Sequence, residues 1–338
     1  MTNTPQSSAV LTAAWQRSAE RRRFNIVMAV VLAVLVPSEV ALARHVHFVG
    51  SGQSLQIWTT ALFLGAILAY CRWRPLPKLV EACELAIWTD LYFDALSVVM
   101  QIAGRSRFPL VDERLRWLDA HLHFSTASAV HWVAQWRWLH FALNLSYALE
   151  PLMLLMAVIF LPFMGHAAAS RRYALGIVVA AFITAGVFAL VPAAGPWTTE
   201  GYKASRDQAA VTAYLTQLKT SAPVVLDMKD AGIVAFPSFH VLLALLSAIA
   251  LSSMRRLRVA AWALALLICV STLTTGWHYL TDVFGGILLT LVSVAAARFI
   301  LTVGVAKVAA PQLSGPQTAP SLAPQTTAIS ENLKQELL

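Results

Sequence analysis

Two histidines stand at the start of two long apolar segments in the second half of the chain. His240 ends the run AFPSFH that begins at Ala235, and His278 is followed four residues later by Asp282. An imidazole titrates near neutral pH and can act as a nucleophile, a base or an acid. A carboxylate bonded to one ring nitrogen fixes the tautomer and leaves the other nitrogen free to attack. An ionisable group such as Asp282 just inside an apolar span is costly and usually has a partner, so the pattern indicates chemistry on a lipid.

The residues before His240 also favour an anion site. Pro237 suits the first turn of a helix, where no amide hydrogen is needed, so we expect Ser238 and His240 in that first turn. Free backbone NH groups and the positive end of the helix dipole would favour a phosphate there. On the following helix, residues four apart share a face, so we expect His278 and Asp282 to lie side by side.

A simpler interpretation of each histidine must be weighed against this one. A lone histidine at a helix end is more often a satisfied interfacial side chain than a catalyst. Two histidines, a carboxylate at the fourth position and a Pro-Ser helix start together favour catalysis. Gly285 and Gly286, one turn beyond Asp282, would let a neighbouring helix or a substrate chain approach closely.

The composition is that of a polytopic membrane protein. The chain has 338 residues, of which 58% are hydrophobic and 12% charged, whereas an average soluble domain has about 25% charged residues. The net charge is +8, but the basic residues form small clusters at segment ends, which argues against nucleic-acid binding. The three cysteines have no CxxC spacing, so we expect neither a disulfide framework nor a zinc site.

Eight apolar segments are long enough to cross a bilayer. They lie near residues 25–43, 55–71, 82–102, 138–163, 173–191, 237–253, 259–274 and 280–301. The third contains Glu84, Asp90 and Asp94, but without it two arginine clusters would fall on the outer side. We therefore predict an all-α transmembrane helix bundle of about eight spans around a six-helix core. With a cytoplasmic N-terminus, His240 and His278 share the non-cytoplasmic side.

Two shorter stretches leave alternatives open. The N-terminal part resembles a signal peptide with a cleavage site, because it has a basic cluster, an apolar run and then small residues, at Arg21–Arg23 and Ala41–Ala43. We favour a retained helix instead, because residues 37–39 interrupt the apolar run. Apolar residues at helical spacing between Leu110 and Leu122 predict an amphipathic helix on the membrane face. That helix would be either a lid over a lipid site or a simple interfacial connection.

At this point the motifs resemble those of a known family. Phe236–His240 and His278–Gly286 are similar to the second and third signature motifs of the type 2 phosphatidic acid phosphatase superfamily. Three further segments are similar to sequences of the branch that includes inositolphosphorylceramide synthases and related bacterial membrane proteins. They are Asp112–His123, Tyr147–Pro151 and Val191–Trp197. The resemblance extends over about residues 108–301, and the first two spans lie outside it.

The resemblance implies a helical membrane core with a site that needs no metal and no cofactor. His278 would attack phosphorus and form a phosphohistidine, Asp282 would orient it, and His240 would protonate the leaving lipid oxygen. Ser238 and Trp197 would contact the substrate. That substrate would be a lipid phosphate, a phospholipid or a polyprenyl diphosphate.

Two motif positions depart from the superfamily pattern. The first motif, a lysine followed after six residues by Arg-Pro, is replaced by Pro192–Trp197, and the arginine expected after Ser271 is Thr272. Two cationic phosphate ligands are therefore missing. On charge grounds, four outer-loop residues are candidates to replace them. These are Lys203, Arg206, Lys219 and Lys229.

These observations predict a lipid phosphatase or phosphotransferase similar to inositolphosphotransferases, in a bacterial inner membrane with its site facing the periplasm. Whether water or an alcohol accepts the phosphoryl group stays open, as does the oligomeric state. The alternative is a non-catalytic lipid-binding or transport protein with the same fold. We expect a disordered cytoplasmic leader at 1–24, two transmembrane helices at 25–80, the phosphatase or phosphotransferase core at 81–305 and a disordered cytoplasmic tail at 306–338.

Overall fold

The computed structural model describes residues 5–45, 48–49, 54–74, 76–220, 222–225 and 232–302. In these residues the chain is all-α, as predicted, apart from one two-residue parallel pairing of β1 (Phe48–Val49) with β2 (Val224–Val225). The helices are α1 (Pro5–His45), α2 (Ser54–Trp73), α3 (Pro77–Gly104), α4 (Asp112–His121), α5 (Thr126–Ala134), α6 (Arg137–Ala148), α7 (Glu150–Leu155), α8 (Leu161–Phe163), α9 (Ala167–Leu190), α10 (Arg206–Leu218), α11 (Phe239–Leu251), α12 (Arg255–Thr274) and α13 (Leu280–Thr302).

Six helical stretches among the described residues are long and apolar enough to cross a membrane. They are Ser18–Leu42, Pro77–Gly104, Arg137–Phe163, Ala167–Leu190, Arg255–Thr274 and Leu280–Thr302. The third of them runs from α6 to α8 through a π-helical turn. Two further apolar helices are shorter, Leu62–Trp73 within α2 and the 13-residue α11. Each of the eight predicted segments therefore corresponds to an apolar helix, and the predicted polytopic fold is confirmed.

Helix α9 lies at the centre of the bundle and is the most deeply buried of the six long stretches. It packs against α3, α11 and α13. Small side chains make this close packing possible: Ala180 and Ala181 are almost fully buried, and Gly176 lies beneath Leu246 of α11. The helices that carry the two histidines are thus fixed on a common central helix.

Ion pairs join four helices at one end of the bundle. The pairs are Arg21–Glu84 (2.7 Å), Arg72–Glu84 (2.8 Å), Arg171–Glu81 (3.6 Å) and Arg172–Glu20 (3.6 Å). Arg171 lies near the start of α9 and Arg255 begins α12, whereas the far ends of these helices lead to Ala194 and His278. The basic clusters therefore lie at the end opposite the histidines, as the charge argument requires, while the sidedness of the membrane stays a prediction.

The N-terminal segment differs from the expected disordered leader. Helix α1 begins at Pro5 and continues without a break into the first apolar stretch, with Pro37 inside it. The segment is rich in alanine and arginine, which favour helix, and it extends a helix that already exists. The predicted tail at 306–338 lies outside the described residues.

Candidate active site

The start of α11 places His240 and differs in register from the prediction. The N-cap is Ser238 and the first helical residue is Phe239, so Pro237 precedes the helix instead of lying in its first turn. The Ser238 hydroxyl accepts a hydrogen bond from the amide of Val241, at 3.4 Å, and is fully buried. A serine cap satisfies an amide that would otherwise lack a partner, and this fixes the start of the helix at this residue. His240 lies in the first turn, as expected.

His278 lies in a turn and not on a helix face. Helix α13 begins at Leu280, two residues later, because the chain leaves α12 through a tight turn at Gly276, whose φ is +73°. The Tyr202 hydroxyl donates to the carbonyl of Gly276 at 2.7 Å, and the His278 amide donates to the carbonyl of Thr272 at 3.2 Å. The predicted contact is nevertheless present, because the turn places the imidazole beside the first turn of α13.

The hydrogen bonds of His278 define its tautomer. Nδ1 lies 3.0 Å from the carbonyl oxygen of Ala235 and 3.3 Å from Oδ2 of Asp282. Since a carbonyl only accepts, Nδ1 carries the hydrogen and Nε2 keeps a free lone pair. Burial lowers the pKa of His278 to about 4, against a smaller raising effect of the Ala235 bond. The imidazole is therefore neutral at pH 7.

Asp282 joins the two helix starts. Its Oδ2 accepts the amide of Tyr279 at 2.9 Å, and its main-chain carbonyl accepts the amide of Ser238 at 3.1 Å. A Cβ atom added to Gly286 would lie 2.6 Å from the Ser238 carbonyl oxygen. The expected close approach at Gly286 is thus confirmed, and its partner is the start of α11.

His240 faces both the other histidine and a second acidic residue. Its Nδ1 lies 3.5 Å from Nε2 of His278. Its Nε2 lies 2.9 Å from the hydroxyl of Tyr147 and 3.7 Å from Oε2 of Glu150. Sequence reasoning gave no role to Tyr147 or Glu150, although both fall in a motif that resembled the family.

Helix α4 holds the loop that replaces the first motif. The carboxylate of Asp112 accepts the amides of Ala194 and Gly195, at 2.8 to 3.1 Å, and the hydroxyl of Tyr279 at 3.3 Å. Burial raises the pKa of Asp112, against the lowering effect of these bonds. Gly195 has φ +137°, and a Cβ there would lie 2.2 Å from the ring of Trp197. The glycine is therefore required at this position.

The same helix also fixes the start of α13. Asp119 is two helical turns after Asp112, and its carboxylate accepts the amides of Leu280 and Thr281, at 2.6 and 2.9 Å. Both carboxylates are buried, while Trp117 and Leu118 are exposed. The predicted helix is present, and its position on the membrane face stays a prediction. The spacing of the two aspartates was the sequence signal for this role, because residues seven apart lie on one face of a helix.

A cavity of about 290 Å³ opens beside the two histidines. Its polar and aromatic lining includes Tyr147, Trp197, Asp207, His240, Trp277 and His278. Trp197 lies edge-on to Trp277 at 5.4 Å between ring centres and donates from its indole to the hydroxyl of Thr212 at 2.8 Å. The structure thus places the predicted residue Trp197 in the wall of this cavity, whereas the buried Ser238 is not among the lining residues.

The predicted replacement cations do not line this cavity in the part of the chain that the structure describes. Nζ of Lys219 donates to the carbonyls of Ser106 and Phe108, at 2.8 and 3.0 Å. Lys203 and Arg206 are not among the lining residues either. Lys229 lies outside the described residues, so its role stays a prediction. Within the described ranges, no three His, Cys, Asp or Glu side chains are grouped to hold a metal ion.

A second, apolar cavity of about 190 Å³ lies between α3, α9 and α11 and shares His240 with the first. It is lined by Phe93, Leu96, Met100, Ile177, Ala181, Thr184 and Phe239, among others. Thr184 is fully buried, and its hydroxyl has no hydrogen-bond partner among the described residues. The site therefore has a polar cavity and an apolar cavity, and His240 lines both of them.

A family model of the PAP2 superfamily matches residues 113–296, more than half of the chain. The match includes all of α4 after Asp112, both histidines and Asp282. The chain belongs to the PAP2 superfamily. Superfamily membership agrees with the resemblance of its motifs to type 2 phosphatidic acid phosphatases, and it indicates a phosphatase-type enzyme that acts on membrane lipids. No curated protein and no solved structure matches this PAP2 superfamily chain.

Proposed function

We propose that this protein cleaves or transfers the phosphoryl group of a lipid through a phosphohistidine on His278. The observation that carries the proposal is the meeting of Nε2 of His278, which has a free lone pair, with Nδ1 of His240 at 3.5 Å beside one cavity. A phosphoryl group would replace this contact. The phosphoryl group would then contact the nucleophile, in the turn before α13, and the proton donor, in the first turn of α11.

The first step uses the fixed tautomer of His278. As Nε2 bonds to phosphorus, positive charge develops on the imidazole, and the nearby carboxylate of Asp282 stabilises it. His240 gives a proton to the lipid oxygen as the P–O bond breaks. In the second step His240 takes a proton from water or an alcohol, which attacks the phosphohistidine. The positive end of α11 favours the phosphoryl oxygens.

A lipid substrate agrees with the position of the site. The histidines lie at the ends of apolar helices, and the apolar cavity beside His240 is suited to a hydrocarbon chain. We infer a lipid phosphate, a phospholipid or a polyprenyl diphosphate, with inositol phosphate transfer as the favoured variant because of the quoted branch motifs. The ion-paired basic end supports an orientation with the site in the periplasm of a bacterial inner membrane.

The test is turnover by the purified protein of labelled phosphatidic acid, polyprenyl diphosphate, and phosphatidylinositol with an acceptor alcohol. We expect label on His278 with at least one of them and loss of both labelling and turnover in His278→Ala. His121→Ala, at an exposed position on α4, is the matched control and should behave as the wild type.

The second candidate is a non-catalytic lipid-binding or transport protein. One observation favours it: no lysine or arginine of the described residues lines the polar cavity, although phosphoryl transfer benefits from charge neutralisation. Absence of turnover by the folded protein on all three lipids would favour this candidate. Turnover that survives His278→Ala would exclude the phosphohistidine mechanism.

A further inference from the structure

A second pairing of a carboxylate with an imidazole lies beside the first. Oε2 of Glu150 is 3.7 Å from Nε2 of His240, and the glutamate is 6% exposed. Its other oxygen, Oε1, has no hydrogen-bond partner among the described residues. A carboxyl group at this depth in a membrane helix is costly and usually functional. Its ion-pair partner among the described residues is His240.

The two nitrogens of His240 face different surroundings. Nδ1 faces the nucleophile His278, so it is the nitrogen on the side where the lipid oxygen leaves. Nε2 faces the hydroxyl of Tyr147 and the carboxyl group of Glu150. The other titratable groups that face Glu150 are Tyr173 and Cys269. The Nε2 side of His240 therefore has one carboxyl group as a neighbour and no lysine or arginine partner within the described ranges.

We propose that Glu150 is the positioning residue that, with Tyr147, holds the proton His240 needs when it acts as an acid. A neutral imidazole that gives up its only hydrogen would become an imidazolate anion, which is unfavourable in this buried place. We infer that Glu150, Tyr147 and His240 together hold one proton more than a carboxylate, a phenol and a neutral imidazole, and that this proton is on Glu150. This proposal rests on the proposed function.

The proton balance then closes over the whole cycle. As the P–O bond breaks, Nδ1 of His240 gives its hydrogen to the lipid oxygen, and the carboxyl group of Glu150 gives its proton to Nε2. His240 stays neutral and Glu150 is left as a carboxylate. When water or an alcohol attacks the phosphohistidine, Nδ1 takes its proton and the hydrogen on Nε2 returns to Glu150. No oxidant, reductant or further reactant is needed.

The test compares two leaving groups in Glu150→Gln. Phosphatidic acid must receive a proton on its leaving oxygen, whereas a nitrophenyl phosphate carrying a dodecyl chain releases a stable phenolate without one. We expect kcat to fall about 100-fold on phosphatidic acid, at the low end of general-acid effects, and to change little on the nitrophenyl ester. Glu84→Gln, which removes a buried carboxylate at the ion-paired end, should show no such difference between the substrates.

Three outcomes separate this role from a structural one. Equal loss on both substrates, or no loss on phosphatidic acid, would overturn the role of Glu150 while the proposed function stands. If the Gln variant does not fold, Glu150→Asp, which withdraws the acid by one methylene, should show the same selective loss, and a uniform loss there would overturn the role as well. Failure of the wild type on both substrates, and also on polyprenyl diphosphate and on phosphatidylinositol with an acceptor alcohol, would instead overturn the proposed function.

Discussion

The two histidines face each other, but the structure holds them in different ways. His278 is 3% exposed, and its Nδ1 has two acceptors within 3.3 Å, one of them on the aspartate four residues later. The side chain of His240 is 33% exposed, with one hydrogen bond to a tyrosine and a glutamate at 3.7 Å. A nucleophile needs one tautomer and one direction, whereas an acid must gain and lose protons, so a tight setting suits the first and a looser one the second.

The difference has its origin in where the partners lie along the chain. His278 takes its support from the turn before α13, from Asp282 and from the α4 carboxylates that fix that helix start. His240 depends on Tyr147 and Glu150, which lie about 90 residues earlier on another membrane helix. The contact of His278 with Asp282 is therefore local in the chain, whereas the His240 setting depends on the packing of α7 against α11.

The largest expected effect is that of a substitution beside His278. Asp282→Asn removes the charge that stabilises the imidazolium and weakens the tautomer, so we expect kcat to fall on the order of 10³-fold or more. The loss should appear with the nitrophenyl ester as well, because the nucleophile is impaired. Steady-state kinetics with both substrates measure it, with Glu113→Gln on the exposed face of α4 as the control. Retention of a tenth of the activity would contradict the tight setting.

The next effect concerns pH. Burial disfavours the imidazolium and lowers the pKa of His278 from 6.5 to about 4. Because the nucleophile must be neutral, the rate of phosphohistidine formation should not fall on account of His278 until the pH approaches 4, and then about tenfold per pH unit. Single-turnover labelling between pH 4 and 8 measures this. An acid limb near the ordinary value, 6.5, that belongs to His278 would contradict the buried setting of this imidazole.

The smallest effect is at Ser238, two residues before His240. Its hydroxyl caps α11, so Ser238→Ala should lower the free energy of unfolding by about 1 kcal/mol and leave kcat nearly unchanged. Thermal unfolding in detergent and turnover of phosphatidic acid give the two values. Unchanged stability with a large loss of kcat would instead favour the phosphate contact that the family resemblance implied for this serine.

Much of the setting of His278 was predictable from the sequence, whereas little of the setting of His240 was. His278, Asp282 and His240 were found because residue type and local spacing suffice for them. Glu150 was not found, because its contact with His240 depends on how two distant helices pack. The register at Pro237 was wrong since the serine cap fixed the start of α11, and no sequence pattern showed that Gly276 would place His278 before its helix.

The helices of the fold were predictable from the sequence, but the contacts between them were not. Hydropathy gave every apolar helix, because the length and apolarity of a membrane helix are local properties. It did not give the ion pairs: Glu84 was noted only as an unexpected charge in the third segment, and its two arginines lie on α1 and α2. The sequence did not predict that the segment after Pro5 is helical, because its polar composition favours disorder.

These ion pairs have a consequence for the order of assembly. A chain is synthesised and inserted from its N-terminus, so Glu84 of α3 meets Arg21 and Arg72 on helices that are already present. Arg171 of α9 is made later and finds Glu81 in place. The first three helices therefore present Glu20 and Glu81 to Arg172 and Arg171 before the family-matched part of the chain is complete. A truncated protein that begins after α3 would leave Arg171, which is 4% exposed, without its carboxylate partner.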